Sequence, residues 1–385
     1  MWRALASNMI SILIVSLALL AGAVAWGQRE WTGPGPLSQA ICLSVERGST
    51  MADVAQSLEA EGAVTSPRIF RIGTDYAGRT GLLKAGSFRV PERASMDEIS
   101  EIVTRGGASS CGTEVVYRIG VADAEIQVRE LDPASNRFEE VARFAPGEGT
   151  APAEYEAVRA SDDARYRIAL AEGVTSWQVV DALSRADFLT GDVPAVPAEG
   201  SLAPDSYEVV PGTARGEVIA AMEASQRELL AEAWEARDRS VPLASPEEAL
   251  ILASIVEKET ALPEERPDVA GVFVNRLRAG MRLQTDPTVI YGITRGEGVL
   301  GRGLRRSELD AETPWNTYRI DGLPPTPIAN PGRESLMAAT RPAETDYVYF
   351  VADGSGGHAF ASTLEEHNRN VARWRQIEAE AEARN

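Results

Sequence analysis

Histidine and cysteine are nearly missing from this chain, with two of each in 385 residues. Cys42 and Cys111 stand apart, without a CxxC spacing or a histidine beside them, so a thiolate zinc site or a redox dithiol has little to be built from. In an exported body they form one disulfide closing the first domain or remain two buried thiols, and both readings stay open. His358 and His367 are too few for a histidine-based metal centre and make a Ser-His-Asp hydrolase hard to assemble, so neither metal nor cofactor is expected. Positive charge is scarce as well. Against 57 Asp and Glu stand 38 Lys and Arg, and a formal net charge of -19 argues against nucleic acid or an anionic membrane surface as the main ligand.

What is present has room for two or three domains and a sizeable core. Residues 9–26, MISILIVSLALLAGAVAW, form an uncharged apolar run about long enough to cross a bilayer as a helix. Arg3 and the amino terminus ahead of it favour a cytoplasmic tail over 1–8, and Arg29 behind it weakens that bias. The triplet Ala23-Val24-Ala25 also fits a signal peptidase site. Either reading exports the body. A Gly- and Pro-bearing linker over 27–40 leads to a first small domain, 41–117. There a strand precedes a helix capped near Ser49 or Thr50 with Val54 and Leu58 inward. The same grammar repeats, with a strand over 86–90 and a helix capped by Ser95 that carries Ile99, Ile102 and Val103. Residues 118–165 leave a β-rich excursion or a loosely ordered arm open and offer no chemistry. The remainder, 166–385, opens on a strand over 166–170 and a helix capped near Thr175. An Ala- and Glu-rich helix within 213–240 then packs through Val218, Ile219, Met222 and Leu230.

The stretch 245–291 is the most specific. Ser245 as N-cap, Pro246 at the first helical position and Glu248 three residues after the cap mark a helix start. Leu252, Ile255 and Val256 recur at the spacing of one buried face. At about 100° per residue Glu259 falls on that face, and Glu257 points about 140° away from Leu252. A carboxylate so placed loses hydration, its pKa rises, and it can hold a proton near neutral pH for a leaving oxygen, which is what the general acid of glycosidic cleavage must do. The competing reading is a solvated turn at a frayed helix end.

Residues 268–277 read as a second helix with Val269, Val272, Phe273 and Leu277 inward. Beyond Gly280, Gln284 and Asp286 flank Thr285 on an extended or turning piece, with Pro287 disfavouring helix at Asp286. An amide and a carboxylate on a loop suit sugar hydroxyls and N-acetyl groups, although an Asx cap accounts for Asp286 as well. Asn316 and Tyr318, ahead of a loop stiffened by Pro324, Pro325, Pro327 and Pro331, are either substrate-side hydrogen-bonding groups or buried structural polars. The run YVYFVAD reads as a central strand, His358 at a Gly-rich bend reads as structural, and 364–383 reads as a charged packing helix.

Four ordered blocks, LASIVEKET, VFVNRLRAGMRLQTDPTVIYGI, ETPWNTYRIDGLPPTPIANPG and YVYFVADGSGGHAFASTLEEHN, resemble the endolytic murein transglycosylase (YceG-like) family. The likeness is close from about Leu250 to Asn368 and looser upstream. KAGSFRV before SMDEISEIV resembles the family's LysM-like portion. EGSLAPDSYEV resembles its EG-x-L-x-PDTY segment with Ser206 where Thr is usual, although an ordinary turn explains it equally. The resemblance implies an α+β body, an uncleaved single-span anchor in the inner membrane, a LysM-like module that holds glycan or merely spaces the site, and a larger mixed catalytic domain in the periplasm. It implies cleavage of the β-1,4 bond between N-acetylmuramic acid and N-acetylglucosamine within peptidoglycan strands, leaving 1,6-anhydro ends.

In that scheme Glu259 gives a proton to the leaving oxygen, and its carboxylate then accepts one from the sugar's C6 hydroxyl as that oxygen closes on C1. The EKET match covers both glutamates, and the helical geometry selects Glu259. Gln284, Asp286, Asn316 and Tyr318 are expected to bind substrate. Penicillin-binding or other elongation and division proteins follow as partners by analogy only. Two rival readings are a hydrolase with Glu259 as acid and Asp286 activating water, and a catalytically silent glycan-binding scaffold.

Overall fold

The structure, a computed structural model, describes residues 2–46, 48–105, 111–160 and 164–382, with side chains described between 12 and 380. Met1 of the expected tail, residues 161–163 of the expected arm and Ala383 of the last helix lie outside the described residues. The fold is mixed α and β and divides into two compact units, one of residues 1–115, 127–144 and 150–165, the other of 116–126, 145–149 and 166–385.

In the first unit α1 (Trp2–Thr32) continues past the apolar run into the expected linker. Nothing breaks it before Gly33-Pro34-Gly35. Over Ile12–Thr32 it is long and apolar enough to cross a membrane. The rest of the linker is not free chain either, because Leu37 and Ala40 are buried. β1 (Ile41–Val45) is followed by α2 (Met51–Ala60), whose Thr50 and Asp53 cap each other's amides at 2.8 and 3.3 Å. α3 (Pro67–Tyr76) had no counterpart in the sequence reading. β2 (Gly86–Val90) pairs antiparallel with β1, Phe88 opposite Leu43, and α4 (Met96–Thr104) starts on a Ser95–Glu98 capping box. Val54, Leu58, Phe70, Val90, Ile99 and Val103 fill the core between them. Cys42 and Cys111 form a disulfide, Cα atoms 5.6 Å apart, across 69 residues of sequence.

β3 (Thr113–Ile119), β4 (Ala124–Asp132), β5 (Arg137–Phe144) and α5 (Ala153–Arg159) come next, and β3 and β4 give residues to both units. β6 (Arg165–Leu170), α6 (Ser176–Arg185) and β7 (Ser206–Val209) follow, and the strands lie in the order β5-β4-β3-β6-β7. The second unit continues with helices: α7 (Arg215–Glu235), α8 (Pro246–Glu259), α9 (Arg266–Arg278), α10 (Asp286–Thr294), the short α11 (Arg306–Leu309) and α12 (Arg333–Thr340). β8 (Tyr349–Ala352), β9 (His358–Ala361) and α13 (Leu364–Glu382) complete the chain.

Three expectations are corrected. α8 has no single apolar face, for every residue from Ile251 to Val256 is buried and α7, α9, α10 and α12 all pack on it. A helix apolar all round is a core helix. Asp286 opens a helix rather than an extended piece, since Pro287 falls in the first turn, where its missing N–H costs nothing. β8 is not a central strand but half of a hairpin with β9, because the Gly-rich bend between them turns the chain straight back.

Candidate active site

The last turn of α8 sends two acids into different company. Glu257, its side chain 5% exposed, faces Arg266 at 3.5 Å and accepts the Gly332 amide at 3.0 Å. Arg266 also pairs with Glu172 at 2.8 Å and with Glu334 at 2.7 Å. Burial and the neighbouring Glu257 push the Glu172 carboxyl up, against the pull of Arg266. Lys258, between the two acids, donates to the Gly173 carbonyl at 3.2 Å, and burial lowers its pKa.

Glu259 has no such compensation. Among the described residues no basic side chain forms an ion pair with it, and it accepts a hydrogen bond from the Thr285 hydroxyl. It keeps a little solvent access while protein atoms enclose the carboxyl. Burial therefore drives its pKa up. The Thr285 bond and the charges of His358 and Arg276 pull it down, and Asp286 adds an upward push. The net direction is up, toward a carboxyl that carries its proton.

The Thr285 hydroxyl is held from behind. The Thr285 amide donates to the Thr317 hydroxyl at 3.0 Å, and the Thr288 hydroxyl, 2.9 Å from that of Thr317, donates to the Thr285 carbonyl at 2.8 Å. All three threonines are buried. Asp286, the next residue, is exposed and accepts the Tyr318 hydroxyl at 2.7 Å. Burial and that bond raise the Tyr318 pKa, so it remains a neutral phenol. Gln284 is exposed with φ +50, a region a residue of its type rarely occupies, and its backbone N–H donates to the Thr317 carbonyl at 3.2 Å.

Asn316 is placed otherwise. It is 1% exposed, its amide nitrogen donates to the carbonyls of Glu308, Leu309 and Ala311, and its oxygen accepts the Tyr318 amide. Of its two readings, the buried one describes its position, and it acts on the site by holding Tyr318. The structure thus brings Asp286 and Tyr318 close enough to Glu259 to act on its charge, places Gln284 exposed beside Thr285 in the chain, and buries Asn316 behind Tyr318.

Sequence reasoning passed over Thr285 and the fastening of the helix end. Thr260, the C-cap of α8, donates its hydroxyl to Glu265 at 3.1 Å. The same carboxylate receives the His358 amide and faces His358 Nδ1, both at 2.7 Å. Arg276 donates to the carbonyls of Val348 and Leu283, tying α9 to β8 and to the Thr285 segment. Thr285 was within reach, since it lies between two residues already singled out. Glu265 carries no periodic signal. The 199–209 segment packs under the Pro-rich loop, where Asn330 accepts the Leu202 amide at 2.9 Å and donates to Val174 at 2.8 Å. Glu199 is half-buried there, accepts the Ser176 amide at 2.9 Å, and has its pKa raised by the hydration it loses. Among the described residues no group of three or more His, Cys, Asp and Glu side chains is arranged to hold a metal ion.

Such a site can donate a proton from an enclosed carboxyl and take one back, beside a carboxylate and a phenol able to orient a polar ligand. The chain is 28% identical over 336 residues to an endolytic murein transglycosylase of Bacillus subtilis (strain 168), covering 86% of this chain and 83% of that one. It is 26% identical over 345 residues to an endolytic murein transglycosylase of Streptococcus pneumoniae serotype 2 (strain D39), covering 86% of this chain and 58% of that longer relative. A crystal structure of a YceG-like protein from Listeria monocytogenes aligns over 86% of this chain and 99% of its own, at 25% identity and a TM-score of 0.44. The model of the YceG-like family matches residues 142–373, and the chain belongs to that family.

Proposed function

We propose that this protein is an endolytic murein lytic transglycosylase, cutting the β-1,4 bond between N-acetylmuramic acid and N-acetylglucosamine inside peptidoglycan strands during cell wall assembly. The observation that carries the reading is Glu259: an enclosed acid without a paired cation, held by Thr285 next to Gln284, Asp286 and Tyr318. Protonated Glu259 gives its proton to the glycosidic oxygen as the C1–O bond breaks. The C6 hydroxyl oxygen of the same muramic acid residue then bonds to C1, and its proton passes to the Glu259 carboxylate. The ring closes, the enzyme regains its starting proton, and no water is consumed. Its likeness to two endolytic murein transglycosylases supports the substrate class.

In this reading α1 is an inner-membrane anchor with the body in the periplasm, residues 41–117 are a LysM-like module that grips the strand, and 166–385 form the catalytic domain. Penicillin-binding and other elongation or division proteins are the partners it would meet. A hydrolase using Asp286 as base is disfavoured, because the Tyr318 hydroxyl already occupies an Asp286 oxygen at 2.7 Å.

Digestion of defined glycan strands followed by mass spectrometry tests the proposal. The wild type should leave 1,6-anhydro ends, and Glu259→Gln should cut about 10²–10⁴-fold more slowly while still binding strands. Reducing ends would establish a hydrolase instead. Undiminished cutting by the variant would reject Glu259 as the acid, and an inert wild type would favour a scaffold.

A further inference from the structure

Helix α3 carries a solvent face unlike the rest of this acidic chain. Ile72 and Tyr76, one turn apart, are 69% and 94% exposed, and Leu82 just beyond is 53% exposed. Residues 66–84 hold four basic side chains, Arg68, Arg71, Arg79 and Lys84, against a single acid, Asp75, in a chain of formal net charge -19. Arg79 is committed to Asp97 at 2.6 Å, whereas Arg68 and Arg71 are exposed on the same helix as Ile72 and Tyr76.

The same helix is where α1 docks. The Trp31 ring lies 6.2 Å from that of Phe70, and the Thr65 hydroxyl donates to Glu30 at 2.9 Å. A Cβ at Gly73 would come within 2.1 Å of the Trp31 ring, so only glycine lets the two helices close to this distance. At about 1.5 Å per residue, Trp31 sits roughly 7.5 Å beyond Trp26, the end of the apolar run. The headgroup layer on each side of the hydrocarbon is about 5–8 Å deep. An element held against Trp31 therefore lies at headgroup depth when α1 spans a bilayer.

We propose that the exposed face of α3 rests on the membrane that α1 crosses, with Ile72 and Tyr76 entering the interface and Arg68 and Arg71 meeting anionic phospholipid headgroups. The inference rests on the reading of α1 as a membrane anchor. A single helix leaves the body free to swivel. A second contact beside it sets the direction in which the first unit faces.

The test uses the full chain with its disulfide intact, carrying one nitroxide at a time: at Tyr76→Cys, at Ser135→Cys in an exposed hairpin turn of the same unit, or at Val15→Cys in α1. Each is reconstituted into phosphatidylcholine vesicles with or without phosphatidylglycerol, and electron paramagnetic resonance reads collisions with oxygen and with a water-soluble nickel chelate. The label at 15 should be oxygen-rich and shielded from nickel. The label at 76 should be several-fold less accessible to nickel than that at 135 when phosphatidylglycerol is present. That protection should shrink in phosphatidylcholine alone, and also when Arg68→Glu and Arg71→Glu are combined. A label at 76 as open to nickel as that at 135, with 15 still in hydrocarbon, overturns the contact and leaves the anchor standing. A label at 15 open to water overturns the anchor and the contact with it. Protection at 76 that ignores both lipid charge and the arginine reversals overturns the role given to the anionic headgroups.

Discussion

Two glutamates separated by one lysine show how partners, not position, assign a role. Both leave α8 toward protein, yet Glu257 meets Arg266 and an amide, and Glu259 meets a hydroxyl. Arg266→Met should therefore cost about 3–5 kcal/mol in urea unfolding, because it strands a buried carboxylate without its counter-charge. For Glu259 the sign runs the other way. Its folded pKa is raised above the ordinary 4.5, so the stability linked to it is full below that value and is lost as pH rises through the folded pKa. Glu259→Gln should accordingly gain stability over the wild type as pH climbs through that range, read as diverging urea midpoints between about pH 4 and about pH 8. Thr285→Val removes the bond that lowers this pKa, so the alkaline limb of the cleavage rate should move to higher pH while the peak rate falls. An unmoved limb would mean that Glu259 does not set it. The sequence pointed to the EKET turn, whose match covers both glutamates, but the contrast between Glu257 and Glu259 was hidden. Arg266, nine residues on, and Gly332, 75 residues on, have no local signature as its partners.

At the scale of elements, α8 is enclosed by four other helices, and its core side chains have no way to relax toward solvent. Leu252→Ala should cost about 2–5 kcal/mol, measured by chemical denaturation, with the upper end expected where surrounding helices cannot collapse into the void. Helices with a Ser or Thr cap and an apolar stripe, such as α2, α4 and α6, were readable in advance, and α8 was readable from its Ser245 cap although it is buried on all sides. α3, α10 and α12 were not, each for its own reason. α3 sets Ile72 among arginines on an exposed face, α10 has in its first turn a proline that resembles a breaker, and α12 buries Ser335 and Thr340 where apolar residues would have announced it. β8 misled because β-branched and aromatic residues signal a strand without saying how many neighbours it has.

For the whole molecule, the disulfide and the proposed chemistry fall in different units. Cys42→Ser with Cys111→Ser should destabilise the first unit by about 2–5 kcal/mol, seen as a lowered thermal transition, since a loop of this length regains much freedom when unfolded. Glycan cleavage by the second unit should persist below that transition. The sequence marked a small first domain ending near residue 117, but the chain returns to that unit twice more, at 127–144 and 150–165. Such re-entry depends on strand pairing between distant segments, which periodicity along the chain does not report. The clamp on α8 has its own reach. Thr260 follows Glu259, and the carboxylate it grips also holds the first residue of β9, 93 positions from Glu265. A bulkier residue at Gly357, where a Cβ would lie 2.5 Å from Glu265 Oε1, would press on that carboxylate from the hairpin side. The aim of the proposed proton donor would thus be set from a distant β-turn, and selection acting on the hairpin could retune it without altering any group proposed to meet the glycan.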